Sequence, residues 1–205
     1  MSFGPDDFSA LYARDADPWN YETSWYEARK RALTLTALTR ERYARAFEPG
    51  CSIGVLTAEL AARCDELLAW DTSEAALDAA RGRVAAAGRD AGAVTFASGW
   101  VPAAWPGGRF ELIVFSEIGY FLSRAELLEV RALIAASLAP GGELLACHWR
   151  HPIQGGELDG DGVHRLLEAT PGLQPVVYHR EADLAIDLWS RASDSLAQRE
   201  GCYDG

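Results

Sequence analysis

A short glycine-rich segment with the sequence EPGCSIG (residues 48–54) has the residue types and spacing that bind a nucleoside. It follows an apolar strand segment and precedes a helix predicted over 55–64. Glycines in such a turn let a ligand approach the backbone and reach the positive end of the helix. Asp71 lies seventeen residues beyond Gly54, after a second predicted strand (66–70), where a carboxylate can bind both hydroxyls of a ribose. The spacing therefore predicts a nucleoside-binding βαβ unit.

Two departures from the dinucleotide fingerprint indicate which nucleoside is bound. NAD-binding turns read G-x-G-x-x-G, whereas this turn reads E-x-G-x-x-x-G and has Ser52 in place of the second close-approach glycine. Glu48 adds a negative charge that repels a pyrophosphate and attracts an ammonium group. S-adenosylmethionine carries an ammonium, a sulfonium and a ribose but no phosphate, so the turn favours this cofactor over NAD. The alternative is a turn that only packs tightly.

The elements that position these residues alternate between strand and helix. Strands are predicted over 45–47, 66–70, 94–97, 110–115 and 143–148, helices over 25–38, 72–87, 124–138 and 163–169, a loop over 88–92, and an antiparallel hairpin over 174–179 and 184–190. Ser24 and Glu27 have the spacing of a capping box at the start of the first helix. This order predicts an α/β fold with a doubly wound, mostly parallel sheet and an antiparallel C-terminal hairpin.

The predicted strand ends bring several polar residues to one edge of the sheet. Ligands of doubly wound sheets bind beyond the carboxyl ends of the strands, at the switch point beside the first strand. Glu48, Asp71, Gly99, Ser116–Glu117 and His148 all lie at or just beyond such ends. This convergence is the main argument for a functional site.

Composition limits the classes of function. With 205 residues, 49% of them apolar, the chain can form one domain with a substantial core, and no stretch approaches eighteen consecutive apolar residues. Its four cysteines form no C-x-x-C pair, and the N-terminus lacks the regions of a signal peptide, which predicts a cytoplasmic protein without a metal. The net charge of −11 opposes binding to nucleic acid. A small-molecule substrate is expected, with no membrane partner; the oligomeric state stays open.

With these elements placed, the chain resembles the class I S-adenosylmethionine-dependent methyltransferases over about residues 43–191. The resemblance rests on the E-x-G-x-x-x-G turn, Asp71, FELIVFSEIGYFLS (110–123) and LAPGGELL (138–145). It implies a Rossmann-like sheet of seven strands. Three regions are then expected: an N-terminal aromatic segment and helix that cover the cofactor (1–42), the binding core (43–191) and a polar, disordered tail (192–205).

A narrower resemblance, to the NodS-like family, rests on five short motifs. They are DPW (17–19), SWYE (24–27), GCSIGVLT (50–57), SEIGYFL (116–122) and HWRHP (148–152). The rhizobial nodulation member of that family N-methylates a deacetylated chitooligosaccharide. The resemblance implies methyl transfer to an amine nitrogen, such as that of an amino sugar, with S-adenosyl-L-homocysteine as the second product.

One departure concerns the adenine ring. Many class I enzymes place an acidic residue after the third strand, where this chain has Ala97-Ser98-Gly99-Trp100. We expect Ser98 or backbone carbonyls to bind the adenine amino group and Trp100 to lie beside the ring. The alternative for Trp100 is a packed loop aromatic.

Methyl transfer to an amine requires orientation and a route for a proton. Glu117 is the first candidate for the base and His148 the second; capping of the next turn and a structural histidine are the alternatives. His151, His164, Asp159 and Asp161 can line an acceptor pocket, but structural roles are favoured for them. Arg29, Lys30 or Arg31 can pair with the cofactor carboxylate, and Arg29 is preferred because it shares a helix face with Trp25.

The predicted site therefore has two sets of residues. The cofactor-binding residues are Trp25, Arg29, Glu48, Gly50, Cys51, Ser52, Gly54, Asp71, Thr72, Ser98, Gly99, Trp100 and Ser116, and the catalytic residues are Glu117 and His148. Three other functions remain open: an O-methyltransferase, an NAD-dependent oxidoreductase, which lacks its usual Tyr-x-x-x-Lys pair here, and a noncatalytic cofactor-binding module.

Overall fold

The computed structural model describes residues 3–88 and 94–203, so that most of the predicted 88–92 loop lies outside the described residues. The strands are β1 (Tyr43–Pro49), β2 (Cys64–Asp71), β3 (Val94–Ser98), β4 (Phe110–Ser116), β5 (Leu138–Trp149), β6 (Gln174–Arg180) and β7 (Leu184–Ser190). The helices are α1 (Pro5–Arg14), α2 (Trp25–Thr36), α3 (Val55–Leu60), α4 (Glu74–Ala86), α5 (Arg124–Ser137), α6 (Gly160–Glu168) and α7 (Leu196–Arg199).

The strands form one seven-stranded sheet in the order β3-β2-β1-β4-β5-β7-β6. The first five strands in this order are parallel, and β7 pairs antiparallel with both β5 and β6. The predicted fold class is thereby confirmed. Because the chain leaves β1 toward β2 and later returns to β4 on the other side, the carboxyl ends of β1 and β4 lie side by side at the switch point.

Alternation along the central strands separates two cores. In β4, Leu112 and Val114 join the core on one face of the sheet, whereas Phe110, Ile113 and Phe115 join the core on the other face. The first core includes side chains of α2, α3 and α4, and the second includes side chains of α5 and α6. Both faces of the sheet are therefore covered, as the near-continuous apolar run of β4 requires.

The N-terminal segment contains a helix that the sequence analysis did not predict. In α1, Pro5 occupies the first helical position, Asp6 and Asp7 lie in the first turn, and Tyr12 is buried. Tyr12 packs with Ile53 and Ala76, which brings α1 against the start of α4. The second helix begins as predicted at Ser24, whose hydroxyl accepts the backbone N–H of Glu27.

Several predicted features differ from the structure. Only one half of the capping box at Ser24 forms, because the carboxylate of Glu27 binds Lys30 instead. The helix predicted over 55–64 ends at Leu60 and continues as a 3₁₀ turn over Ala61–Arg63, so that β2 begins at Cys64. The tail, expected to be disordered, contains α7, and Arg199 of that helix donates to the Thr39 hydroxyl at 2.8 Å.

Candidate cofactor and acceptor site

A cavity of about 560 Å³ lies at the carboxyl edge of the sheet, at the junction of β1 and β4. The turns after β1, β2, β3 and β4 form one side of it, through Gly50, Asp71, Gly99 and Ser116. The N-terminal segment covers the other side with aromatic rings, those of Phe3, Phe8, Tyr12, Trp19, Tyr21 and Tyr26. Its volume lies in the range of small-molecule sites.

Glu48 and Cys51 line a smaller pocket of about 50 Å³ that shares Gly50, Ser52 and Lys30 with the main cavity. Glu48 is only 3% exposed, and its Oε2 atom has no hydrogen-bond partner among the described residues. Burial raises the pKa of Glu48 to about 8. An unpaired buried carboxyl of this kind favours a cationic ligand group, because such a partner offsets its desolvation.

Gly50 brings the turns after β1 and β4 into contact. Its φ is +75°, and a Cβ atom there would lie 2.3 Å from Cγ2 of Ile118. Glycine is therefore required by backbone conformation and by packing at the same time. Gly54, in contrast, lines neither pocket: a Cβ there would lie 2.6 Å from that of Ala80, so this glycine allows α3 to pack against α4.

Asp71 is held by backbone donors and faces the main cavity. The N–H groups of Ser52 and Ser73 donate to its two carboxylate oxygens at 2.9 and 3.0 Å. Burial raises the pKa of Asp71, although the same backbone bonds oppose this shift. Neighbouring Thr72 presents a buried hydroxyl without a partner among the described residues. This part of the cavity thus offers fixed acceptors and an unused hydroxyl.

The turn after β3 contributes Gly99 and Trp100 to the cavity, but Ser98 is exposed and lines neither pocket. A Cβ on Gly99 would lie 2.3 Å from the ring of Trp70, which explains the glycine. The ring of Trp100 packs against Phe8 of α1, with centroids 5.8 Å apart. Because the side chain of Ser98 is exposed to solvent, the prediction that this side chain binds the adenine amino group is wrong. The alternative, binding by backbone carbonyls, stays a prediction.

A buried charge cluster of Glu27, Lys30 and Glu117 lines both the main cavity and the smaller pocket. Lys30 Nζ lies 2.7 Å from Glu27 Oε2 and 2.9 Å from Glu117 Oε1. Burial disfavours the ammonium, but Glu117 and Glu27 outweigh it and raise the pKa of Lys30. Burial also raises the pKa of Glu27, against the opposing effect of Lys30. The cluster holds two carboxylates for one ammonium.

Glu117 is held in a sparsely populated backbone conformation, with φ at +59°. Its carboxylate accepts hydrogen bonds from Lys30, from the hydroxyl of Tyr120 and from the backbone N–H of Trp149 at 3.2 Å. Because three donors already share its two oxygens, the geometry favours a positioning role over the predicted role as a free base. Ser116 lines the same cavity.

His148, the second predicted base, does not face the cavity. It is fully buried beneath the turn after β4, where its Nε2 accepts the backbone N–H of Gly119 at 3.1 Å. Burial is the main cause that lowers the pKa of His148. The pleat of β5 directs the His148 side chain into the protein interior and away from the cavity. The predicted role of His148 as the base is therefore wrong.

Arg29 and Trp25 are also misplaced by the sequence analysis. Arg29 forms a two-point ion pair with Glu181 at 2.7 and 2.8 Å on the outer surface, and Trp25 is 78% exposed. Lys30, one position further along the helix, points into the cavity instead. The predicted shared face of Trp25 and Arg29 exists, but it is the outer face of α2.

Among residues 3–88 and 94–203, no helix combines the length and apolar character needed to cross a membrane. Within the same ranges, no three His, Cys, Asp or Glu side chains form a group that could hold a metal ion.

The fold and the position of the cavity define the class of this protein, the class I methyltransferases that use S-adenosylmethionine. A crystal structure from Pseudomonas syringae assigned as a methyltransferase is 45% identical, with a TM-score of 0.71, and the match covers 82% of this chain and 100% of that one. The N-methyltransferase NodS from Bradyrhizobium japonicum WM9, in complex with S-adenosyl-L-homocysteine, is 22% identical with a TM-score of 0.78, covering 90% and 96% of the two chains.

Comparison of the sequence with known families identifies a narrower group within this class. The model of the nodulation protein S (NodS) family matches residues 5–153, and the chain belongs to that family. Nodulation protein S from Rhizobium tropici is 30% identical over 137 residues, which are 63% of this chain and 53% of that protein. The match thus spans about half the length of this curated relative. The resemblance noted from the five short motifs is confirmed.

Proposed function

We propose that this protein transfers a methyl group from S-adenosyl-L-methionine to a small-molecule acceptor, with an amine nitrogen, such as that of an amino sugar, as the preferred acceptor. The observation that carries this proposal is the pair of buried carboxyls, Glu48 and Asp71, at the switch point without a basic side chain bound to either among the described residues. They complement a ligand that brings an ammonium group and a ribose. In the same proposal, residues 1–42 cover the cofactor, residues 43–191 bind it in the cytoplasm, and no function is assigned to 192–205.

The residues present fit the cofactor. Asp71 and the unused hydroxyl of Thr72 would bind the ribose, and Trp100 would lie beside the adenine. Glu48 would bind the ammonium group, whereas Arg29, which pairs with Glu181 on the outer face of α2, does not face the cavity and would not bind the carboxylate. Gly50, Cys51, Ser52 and Gly99 would supply backbone contacts. Bound S-adenosyl-L-methionine supplies an electrophilic methyl group on a sulfonium.

The acceptor side has aromatic walls and excess negative charge. Tyr26 packs edge-on against Trp149, with ring centroids 5.6 Å apart, and both rings line the cavity. The two carboxylates around Lys30 leave a net charge of about −1, which favours an acceptor that arrives as an ammonium ion. Glu27, whose pKa burial raises, is the carboxylate that we assign to accept the proton and free the nitrogen lone pair. The covering aromatic rings exclude water from this step.

Calorimetric titration with S-adenosyl-L-homocysteine and, separately, with NAD tests the cofactor. We expect micromolar binding of the first and none of NAD, because Ser52 stands where a pyrophosphate-binding turn has its second close-approach glycine. Binding of NAD alone would favour the oxidoreductase interpretation, and binding of neither would favour a noncatalytic module.

Transfer of labelled methyl groups then tests the acceptor. Deacetylated chitooligosaccharides and their N-acetylated forms are a matched pair that differs only in the free amine. We expect label on the nitrogen of the first and none on the second. Label on hydroxyl groups of both would replace the amine by an oxygen acceptor.

A further inference from the structure

A chain of buried polar side chains runs beneath the cavity, from the outer edge of the sheet to the turn after β4. Arg180 donates to both carboxylate oxygens of Asp187 at 2.7 and 2.6 Å. Asp187 Oδ2 lies 2.6 Å from His164 Nδ1, and His164 Nε2 lies 3.0 Å from His148 Nδ1. The chain ends where His148 Nε2 accepts the N–H of Gly119. His148, His164 and Asp187 are each at most 3% exposed.

The hydrogen bonds at the two ends determine every proton in between. A backbone N–H can only donate, so His148 Nε2 carries no proton and His148 Nδ1 must donate to His164 Nε2. His164 Nδ1 then carries its proton and donates to Asp187. The guanidinium of Arg180 offsets the burial of Asp187 and, together with His164, keeps the pKa of this carboxyl below its ordinary value. Both histidines are therefore neutral, each with its proton on Nδ1.

The turn that this chain supports carries the residues of the acceptor wall. Gly119 lies between Glu117 and Tyr120, and the ring of Tyr120 packs edge-on against His148 with centroids 5.5 Å apart. A Cβ on Gly119 would lie 2.9 Å from His148 Nε2 and 2.5 Å from a methyl group of Val163. The turn thus sits directly on the imidazole, and the left-handed conformation of Glu117 needs such external support to persist.

We propose that Asp187, His164 and His148 are positioning residues that fix the turn from Glu117 to Tyr120 in the conformation required for methyl transfer. The ionised Asp187 sets the tautomer of His164, and His164 sets that of His148. His148 Nε2 is thereby kept as a hydrogen-bond acceptor for the N–H of Gly119. This inference rests on the proposed function for its effect on turnover, but the tautomers themselves are independent of any substrate.

Two variants of His148 separate the two hydrogen bonds of its ring. In His148→Gln the amide oxygen replaces Nε2 and still accepts from Gly119, whereas in His148→Asn the amide nitrogen replaces Nδ1 and still donates to His164 but leaves Gly119 without an acceptor. We expect His148→Gln to keep kcat within about threefold and His148→Asn to lower it about tenfold or more. Asp187→Asn should give an intermediate loss. The Kd of S-adenosyl-L-homocysteine should stay within about twofold in all three.

His179→Gln serves as the control, because His179 pairs with Glu181 outside the cavity and should leave kcat unchanged. Equal kcat for His148→Gln and His148→Asn would overturn the proposal. Imidazole ¹⁵N chemical shifts of the unmodified protein provide a second test, which needs neither an acceptor nor a variant that folds. We expect protonated Nδ1 in both histidines. Protonated Nε2 in His148 would contradict the chain even if no methyl transfer were found.

Discussion

Two pairs of buried carboxyls around the cavity differ in how their charge is compensated. In the pair proposed to bind the cofactor, Glu48 and Asp71, backbone N–H groups donate to Asp71, and no basic side chain is bound to either carboxyl among the described residues. In the pair proposed to face the acceptor, Glu27 and Glu117 share the ammonium of Lys30 at 2.7 and 2.9 Å. The first pair has no counter-ion in the protein, so a ligand can supply it. The second pair has one ammonium for two carboxylates.

This difference separates binding from positioning. A buried carboxyl without a counter-ion destabilises the free protein, and a ligand with hydroxyls or an ammonium group removes that penalty when it binds. A carboxylate with three donors, such as Glu117, has a fixed direction and little freedom to respond. At neutral pH, substitutions at the Glu27–Lys30–Glu117 cluster should therefore mainly lower stability, whereas substitutions of Glu48 or Asp71 should mainly change cofactor affinity.

The largest effect is expected from Lys30→Met. This change leaves Glu27 and Glu117 buried next to each other without a cation, and breaking a buried pair in this way costs about 3–5 kcal/mol of the free energy of unfolding. Urea denaturation of the free protein measures it. Arg29→Met is the matched control, since Arg29 and its partner lie at the surface and should change stability little. Equal losses in the two variants would contradict the contrast between the faces of α2.

The same pair of residues shows where prediction from sequence stops. Neighbouring positions on a helix differ in direction by about 100°, so the choice between Arg29 and Lys30 depends on how α2 is rotated on the sheet. That rotation is set by the packing of side chains such as Leu33 and Leu35, which local patterns do not encode. The orientation of His148 could not be predicted for a similar reason, because the pleat of β5 determines on which face of the sheet its side chain lies.

What could be predicted has a local physical cause. The buried run of β4 and the glycine turn after β1 identified the sheet and its switch point, because strand burial and left-handed glycine leave clear marks in sequence. The missed helix α1 also left marks: a proline at its first position, two aspartates, and Phe8, Leu11 and Tyr12 at helical spacing. Glu27 carried a signal too, as a partner three residues before Lys30 on one face.

On the cofactor side, Asp71→Ala should weaken binding of S-adenosyl-L-homocysteine by about ten- to a hundredfold. The reason is the loss of a hydrogen bond between a charged acceptor and a ribose hydroxyl, worth about 1.5–3 kcal/mol. Calorimetry measures the affinity, with Asp78→Ala as the control because Asp78 is an exposed aspartate that pairs with Arg81. An unchanged affinity in Asp71→Ala would remove the ribose role.

The smallest effect concerns the proton on Glu48. With a pKa of about 8 in the free protein, this carboxyl is mostly protonated at pH 7 and must ionise when a cationic group binds it. Binding of S-adenosyl-L-homocysteine at pH 7 should release about one proton, and affinity should fall by at most about tenfold for each pH unit below 8. Calorimetry in buffers of different ionisation enthalpy counts this proton, and its absence in the unmodified protein would contradict the role of Glu48.

Glu48→Gln tests the role of this proton directly, because the variant removes the titrating group and preserves the shape of the side chain. Proton release should disappear and cofactor affinity should no longer depend on pH in this range. The folded state holds the proton more tightly than the unfolded chain, so Glu48 stabilises the fold below its ordinary pKa and this contribution is lost as the pH rises through about 8. Glu48→Gln should therefore be more stable than the unmodified protein at pH 9, whereas Lys30→Met should be less stable at both pH 7 and pH 9. The opposite changes in stability at pH 9 therefore distinguish Glu48, a carboxyl without a counter-ion, from the carboxylates that are paired with Lys30.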